Sequence, residues 1–186
     1  RRAPFSAGQA QAVSRGARPL KPARRNEMLH LALYHPAIPQ NTGNIGRLCV
    51  GHRARLHLIA PGFDVNEKAV RRAGLDYWPH LDRVIHDDDD AFLDWLADTA
   101  PADHHPDHQP VPWLITKTGP LRFDQPAYRD GDVLILGNEN TGLPPTWHER
   151  WPDRRVHIPI HGPIRSYNLA NAAAIALAHA ALRIDL

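Results

Sequence analysis

Three segments of this chain hold more Gly, Pro, Asn and charge than a plain connection needs: PAIPQNTGNIGR (36–47), LGNENTGLP (136–144) and PIHGPIRSYNLAN (159–171). In the first, Arg47 follows Gly43 and Asn44 by about one helical turn. A guanidinium there suits contact with a phosphate or a ribose; a surface arginine on an amphipathic helix is the competing reading. In the second, Gly137 and Gly142 have the spacing of a phosphate loop, but Leu143-Pro144 stand where Lys-Ser/Thr is required. The missing lysine, and Glu139 inside the loop as well, argue against nucleoside triphosphate binding. Glycine still lets a ligand approach the main chain closely, and Glu139 favours a positively charged ligand over an anion. In the third, Arg165, Ser166, Asn168 and Asn171 crowd the entrance of a helix, more polar groups than one cap requires. Lys68, Arg71 and Arg72 form a local basic patch that suits a phosphate backbone; a solvated helix face explains it equally.

Other chemistries fare worse. The thirteen histidines include a cluster with Asp103, His104, His105, Asp107 and His108, but its spacing matches no zinc pattern, and no metal is expected. Cys49 lies on a predicted core helix and reads as buried and inert; as the sole cysteine it excludes an internal disulfide. Gly-x-Ser-x-Gly and Gly-x-Gly-x-x-Gly are both absent.

These groups need a scaffold. Apolar runs predict strands at 29–35, 56–60, 77–80, 113–116, 132–137 and 156–160. Helices are expected from Asn41 or Thr42 to about residue 52, from Asn66 to Ala73, after the acidic run Asp87–Asp90, and from Asn168 to about Arg183. Strands alternating with helices, in near-continuous apolar runs, indicate an α/β domain: a mostly parallel sheet with helices on both faces. Each of the three rich segments follows a predicted strand, and the carboxyl ends of such strands are where ligands bind. The last helix is dense in alanine, which suits either a close subunit contact or simple packing on the sheet.

Length and charge set the outer bounds. The 186 residues fit one domain, 28–186, with an appended arm, 1–27. The arm carries seven basic side chains against one acid, +6, whereas the remainder is at −4. A basic arm on a mildly acidic domain suggests a polyanionic partner; a leader segment is the alternative. No apolar run approaches the ~20 residues that span a bilayer, and no membrane partner is expected. With one cysteine and no apolar leader segment, a cytoplasmic setting is expected.

Taken in order, NTGNIGRLC, ILGNENTGLP and HIPIHGPIRSYNLANAAAIAL resemble the three signature motifs of the SPOUT-class RNA ribose 2′-O-methyltransferases. LYHPAIPQNTGNIGRLC and KAVRRAGLDYW look most like the subfamily acting on the wobble nucleotide of tRNA, the tRNA (cytidine/uridine-34-2′-O)-methyltransferases. The resemblance covers about residues 28–182. It implies a C-terminal deep trefoil knot, a homodimer helped by the last helix, S-adenosylmethionine as cofactor with S-adenosylhomocysteine as product, no metal, and the tRNA anticodon stem-loop as substrate. It places Ile115, Gly137, Ile158 and Ser166 at the cofactor, with Asn138, Glu139, Gly142 and Leu143 shaping its loop. Arg47 matches the catalytic arginine and Asn41 its motif partner; Asn41, Arg47, Lys68, Arg71, Arg72, Arg165 and Asn168 form the RNA side. The same chemistry on another tRNA position or on ribosomal RNA, or a catalytically weak RNA-binding relative, are the alternatives. Asn138, Ile164 and Ala170 depart from the residues usual at those motif positions.

Overall fold

Four apolar runs, RLHLI, HLALY, VLIL and PWLIT, form the middle of a seven-stranded sheet in which every pairing is parallel. In chain order the strands are β1 (His30–Tyr34), β2 (Arg55–Ile59), β3 (Arg83–His86), β4 (Pro112–Thr116), β5 (Leu121–Arg122), β6 (Val133–Leu136) and β7 (Arg155–His157). Their order across the sheet is β3-β2-β1-β6-β4-β7-β5. Four helices accompany them: α1 (Pro39–His52), α2 (Asp89–Asp98), α3 (Pro145–Arg150) and α4 (Leu169–Arg183). This computed structural model describes residues 29–65, 77–98 and 110–184. The basic arm 1–27, the helix expected at Asn66–Ala73 with Lys68, Arg71 and Arg72, and most of the His-rich stretch 100–112 lie outside the described residues.

Side-chain alternation with period two gives the central strands β1, β2 and β6 two buried faces. Leu31, Leu33, Leu56, Leu58, Leu134 and Leu136 share one core with Ile45 and Cys49 of α1 and with the alanines of α4. Ala32, Leu114, Val133 and Ile135 share a second core with Phe92 of α2 and Trp147 of α3. Helices therefore cover both faces, as the continuous apolar runs require. Each fully buried leucine contributes about 1.5–3 kcal/mol.

Several local expectations change. The helix expected to begin at Asn41 or Thr42 begins at Pro39, a residue preorganised for the first helical position, and both expected caps are buried inside α1. Residues 77–80 are not a strand: Trp78–His80 make a 3₁₀ turn around Pro79, which cannot donate to a ladder, and the strand follows at Arg83–His86. The strand expected at 156–160 ends at His157, two residues before Pro159. The short β5 and α3 had no clear apolar period to announce them.

Two helix starts follow the sequence reading. Asp88 Oδ1 accepts the Ala91 N–H at 2.8 Å, and Asp89 and Asp90 lie in the first turn of α2, where the helix dipole favours carboxylates. Asn168 caps α4, its Oδ1 accepting from Ala170 N at 2.9 Å and Asn171 N at 3.4 Å. The alanine face of α4 (Ala170, Ala173, Ala176, Ala180, Ala181) is buried within the chain, where α4 packs on α1. Close packing of small side chains here serves a contact within the chain. Among the described residues no helix is long and apolar enough to cross a membrane.

Candidate functional site

The segments that leave the carboxyl ends of β1, β4, β6 and β7 converge on a cavity of about 580 Å³, within the usual range for small-molecule sites. All eight residues expected at the cofactor line it: Ile115, Gly137, Asn138, Glu139, Gly142, Leu143, Ile158 and Ser166. Aliphatic side chains (Ile115, Leu136, Leu143, Ile158) make an apolar slot, and Asn138, Asn140, Thr141 and Ser166 add polar groups around it.

The loop after β6 is shaped by its own atoms. A Cβ on Gly137 would lie 2.3 Å from the Gly142 carbonyl carbon and 2.4 Å from the Leu143 nitrogen, so only glycine fits. Gly142 has φ +74°, in the left-handed region where glycine carries no steric penalty. Asn138 and Gly142 exchange backbone hydrogen bonds at 3.2 and 2.8 Å. The Asn138 side chain then locks the turn: its Oδ1 accepts from Asn140 N at 2.8 Å and Thr141 N at 3.2 Å, and its Nδ2 donates to the His35 carbonyl at 2.5 Å. An asparagine at this departing position thus supplies by hydrogen bonding the rigidity a proline would supply by its ring.

Glu139 does something the sequence did not disclose. Its carboxylate accepts from Ala37 N at 2.9 Å, Ile38 N at 3.2 Å and Asn41 Nδ2 at 3.0 Å. Asn41 Oδ1 in turn accepts from Asn168 Nδ2 at 3.0 Å. One chain of hydrogen bonds therefore joins all three motif segments, and it supplies the side-chain acceptor that the start of α1 lacks locally. The Glu139 carboxylate is thus engaged within the chain, by backbone N–H groups at the start of α1.

The residues expected on the RNA side divide. Asn41 and Asn168 line the cavity; Arg47 and Arg165 are exposed and do not. Arg47 stands six residues after Asn41 on α1, about 9 Å along the axis. Its guanidinium carbon lies 5.0 Å from the centre of the Tyr77 ring, a cation–π contact. Tyr77 is itself anchored by donating to the Gly43 carbonyl at 2.6 Å. Lys117 and Tyr167 also line the cavity and were missed, although both lie beyond strand ends, where the sheet rule already points.

Elsewhere, Cys49 is fully buried and its thiol is pushed up to about 12 by desolvation, the inert state expected. The histidines form a feature no spacing rule revealed. His30 Nδ1 meets His57 Nε2 at 2.9 Å, and His57 Nδ1 meets His86 Nε2 at 2.9 Å, a row across β1, β2 and β3 beneath Trp95 and Phe92 of α2. Burial, then the neighbouring His30 and His86, hold His57 well below the ordinary histidine value. Among the described residues no group of three or more His, Cys, Asp or Glu is arranged to hold a metal ion.

Comparison with known proteins places this geometry among relatives. The model of the SpoU rRNA Methylase family matches residues 28–178. A protein from Methylovorus glucosotrophus named tRNA (cytidine(34)-2′-O)-methyltransferase is 37% identical over 152 residues, 81% of this chain and 92% of that one. A solved structure described as "Structural insights into the 2-OH methylation of C/U34 on tRNA" superposes with a TM-score of 0.74 at 37% identity, covering 86% of this chain and 92% of its own. The SpoU methyltransferase AviRb from Streptomyces viridochromogenes, in complex with the cofactor AdoMet, has a TM-score of 0.71 at 25% identity, covering 87% of this chain and 62% of its own.

Proposed function

The chain belongs to the SpoU rRNA methylase family, whose members are S-adenosylmethionine-dependent methyltransferases, and on that premise we propose that it methylates the ribose 2′-hydroxyl of the wobble nucleotide, position 34, in tRNA anticodon loops. The observation that carries the reading is the cavity where the three motif segments meet, tied together through Glu139, Asn41 and Asn168. The names of the relatives at 37% identity point to the same nucleotide.

The residues present fit the cofactor. An aliphatic slot beside a glycine-shaped loop suits a flat purine, and peptide and amide groups at the rim suit its ribose and amino-acid ends. Ile115, Gly137, Leu143, Ile158 and Ser166 would hold it, with Asn138, Glu139 and Gly142 keeping the loop in shape. When bound, S-adenosylmethionine supplies an electrophilic methyl group, leaving S-adenosylhomocysteine; no metal is needed.

The chain's own contribution is alignment and charge. A ribose hydroxyl is a weak nucleophile whose oxygen becomes negative as its proton leaves. A guanidinium is a hydrogen-bond donor with no acceptor, so the role of Arg47 is to stabilise that oxygen or to position the adjoining phosphate. The stacked Tyr77 restricts where its guanidinium can go. Arg165, Asn168 and Asn41, together with Lys68, Arg71 and Arg72, complete the RNA-facing surface in this reading.

A C-terminal trefoil knot belongs to the same proposal. Its support is the tight crossing of distant segments: a Cβ on Gly119 would lie 2.6 Å from the backbone of Arg155 and Val156. A homodimer is proposed with it, using the exposed side of α4, where Leu182 is 79% exposed. Work on tRNA implies the cytoplasm. The test is transfer of a labelled methyl group to bulk tRNA and to ribosomal RNA, followed by mapping of the modified nucleotide. Label at position 34 is expected; label in ribosomal RNA alone overturns the substrate and keeps the chemistry.

A further inference from the structure

Aromatic side chains are mostly enclosed in this protein, and Tyr167 departs from that rule. Among the described residues it is the one aromatic counted as exposed, at 37%, and it lines the cavity between Ser166 and Asn168. Among the described residues no neighbouring ring is stacked on it, whereas Tyr34, Phe92, Trp95, Trp147 and Trp151 all meet other rings. Its hydroxyl donates to the Pro159 carbonyl at 3.3 Å, which tethers the far edge of the ring. Its backbone is held on the C-terminal side, because Asn168 both caps α4 and donates to Asn41. A tethered aromatic face is thus presented at the cavity mouth at little further entropic cost.

We propose that the exposed ring of Tyr167 is the platform on which the target nucleobase stacks while its ribose lies at the cavity. This rests on the ribose-methylation reading and names how that site takes hold of its nucleotide. A base in a single-stranded loop must leave its neighbours for its ribose to enter a cavity, and proteins recover the lost stacking with an aromatic face. The cofactor has a separate place, since the inner wall is aliphatic, formed by Ile115, Leu136 and Ile158. Lys117, exposed on the same cavity, lies within the region a flanking phosphate would pass. Stacking tolerates either pyrimidine, so the platform serves cytidine and uridine alike.

The test uses the full chain and an anticodon stem-loop carrying pyrrolocytidine, a fluorescent cytidine analogue quenched by stacking, at the methylated position. Binding to the wild-type protein in the presence of S-adenosylhomocysteine quenches the fluorescence. Tyr167→Ala loses the quench and raises KM for the stem-loop about tenfold or more, while affinity for S-adenosylhomocysteine stays within about twofold, which also shows that the variant folds. Tyr167→Phe keeps the ring and removes the Pro159 bond; it restores the quench and lowers KM relative to the alanine variant. A quench and KM unaltered by Tyr167→Ala overturn the proposal, as does lost cofactor affinity with KM unaltered, which would assign the ring to the cofactor. A wild-type protein that binds no S-adenosylhomocysteine overturns the methyltransferase reading itself, and this is seen before any variant is made.

Discussion

Two polar networks in this protein each join three segments far apart in sequence, and they end in opposite states. The network through Glu139, Asn41 and Asn168 runs along the wall of an open cavity, where Glu139 is half-buried and Asn168 exposed. The row His30–His57–His86 is sealed between the sheet and the rings of α2, with each of the three at most 5% exposed. The first holds a negative charge matched by N–H donors. In the second, burial holds His57 and His86 below the ordinary histidine value. Connectivity alone therefore does not mark a site; what matters is whether the network leaves wall surface for a ligand. The histidine row is closed over by Trp95 and Phe92 and packs like core.

The contrast can be broken from either side. The largest effect is expected from Gly137→Ala, since its Cβ would meet main-chain atoms that cannot yield. Affinity for S-adenosylhomocysteine by calorimetry should fall by more than about a hundredfold. Arg47→Lys comes next: kcat/KM should drop by about 10²-fold with cofactor affinity unaltered, and the loss should be flat as pH rises. Recovery with a slope of one would make the arginine a base instead. Glu139→Gln removes the charge from the clamp and should lower stability by about 1.5–3 kcal/mol, read by denaturant titration, together with cofactor affinity.

The histidine row supplies a smaller effect with a definite sign. A histidine whose folded pKa is depressed contributes stability that is present above its unfolded value, about 6.5, and is lost as pH falls toward the folded value. Melting temperature should decline as pH drops below that point. His57→Gln should make the decline shallower, with methyl transfer at pH 8 little altered. A slope identical to wild type would mean that the row titrates elsewhere. Smallest is deletion of residues 1–27, which should weaken tRNA binding and flatten its salt dependence without touching cofactor affinity.

Much of the site was legible because glycine, asparagine and proline in strand-end loops report backbone shape directly. Gly137 could be read as a close-approach residue from type alone, and Asn168 as a cap from its place before an apolar-periodic helix. The cofactor-side residues then lay around one cavity. What escaped the reading depended on partners distant along the chain. The part Glu139 plays within the chain could not be read locally, because the N–H groups that occupy it belong to residues 37 and 38. Asn41 looked like a cap because the acceptor that replaces a cap sits about a hundred residues away. Tyr167 and Lys117 passed unnoticed among polar neighbours, since exposure at a cavity mouth is not a property of residue type.

The sequence by itself determined the α/β class, the parallel sheet with helices on both faces, and the family, through periodicity and three ordered motifs. Those signals are local: side-chain spacing dictates which faces must be buried, and burial of both strand faces dictates covering helices. Only the tertiary structure decided that the motif segments share one hydrogen-bonded wall, that the alanine face of α4 is covered by α1, and that three histidines stand in a sealed row. Each depends on which strand lies beside which. The order β3-β2-β1-β6-β4-β7-β5, settled by long-range packing, brings residues 38, 41, 139 and 168 within hydrogen-bonding reach.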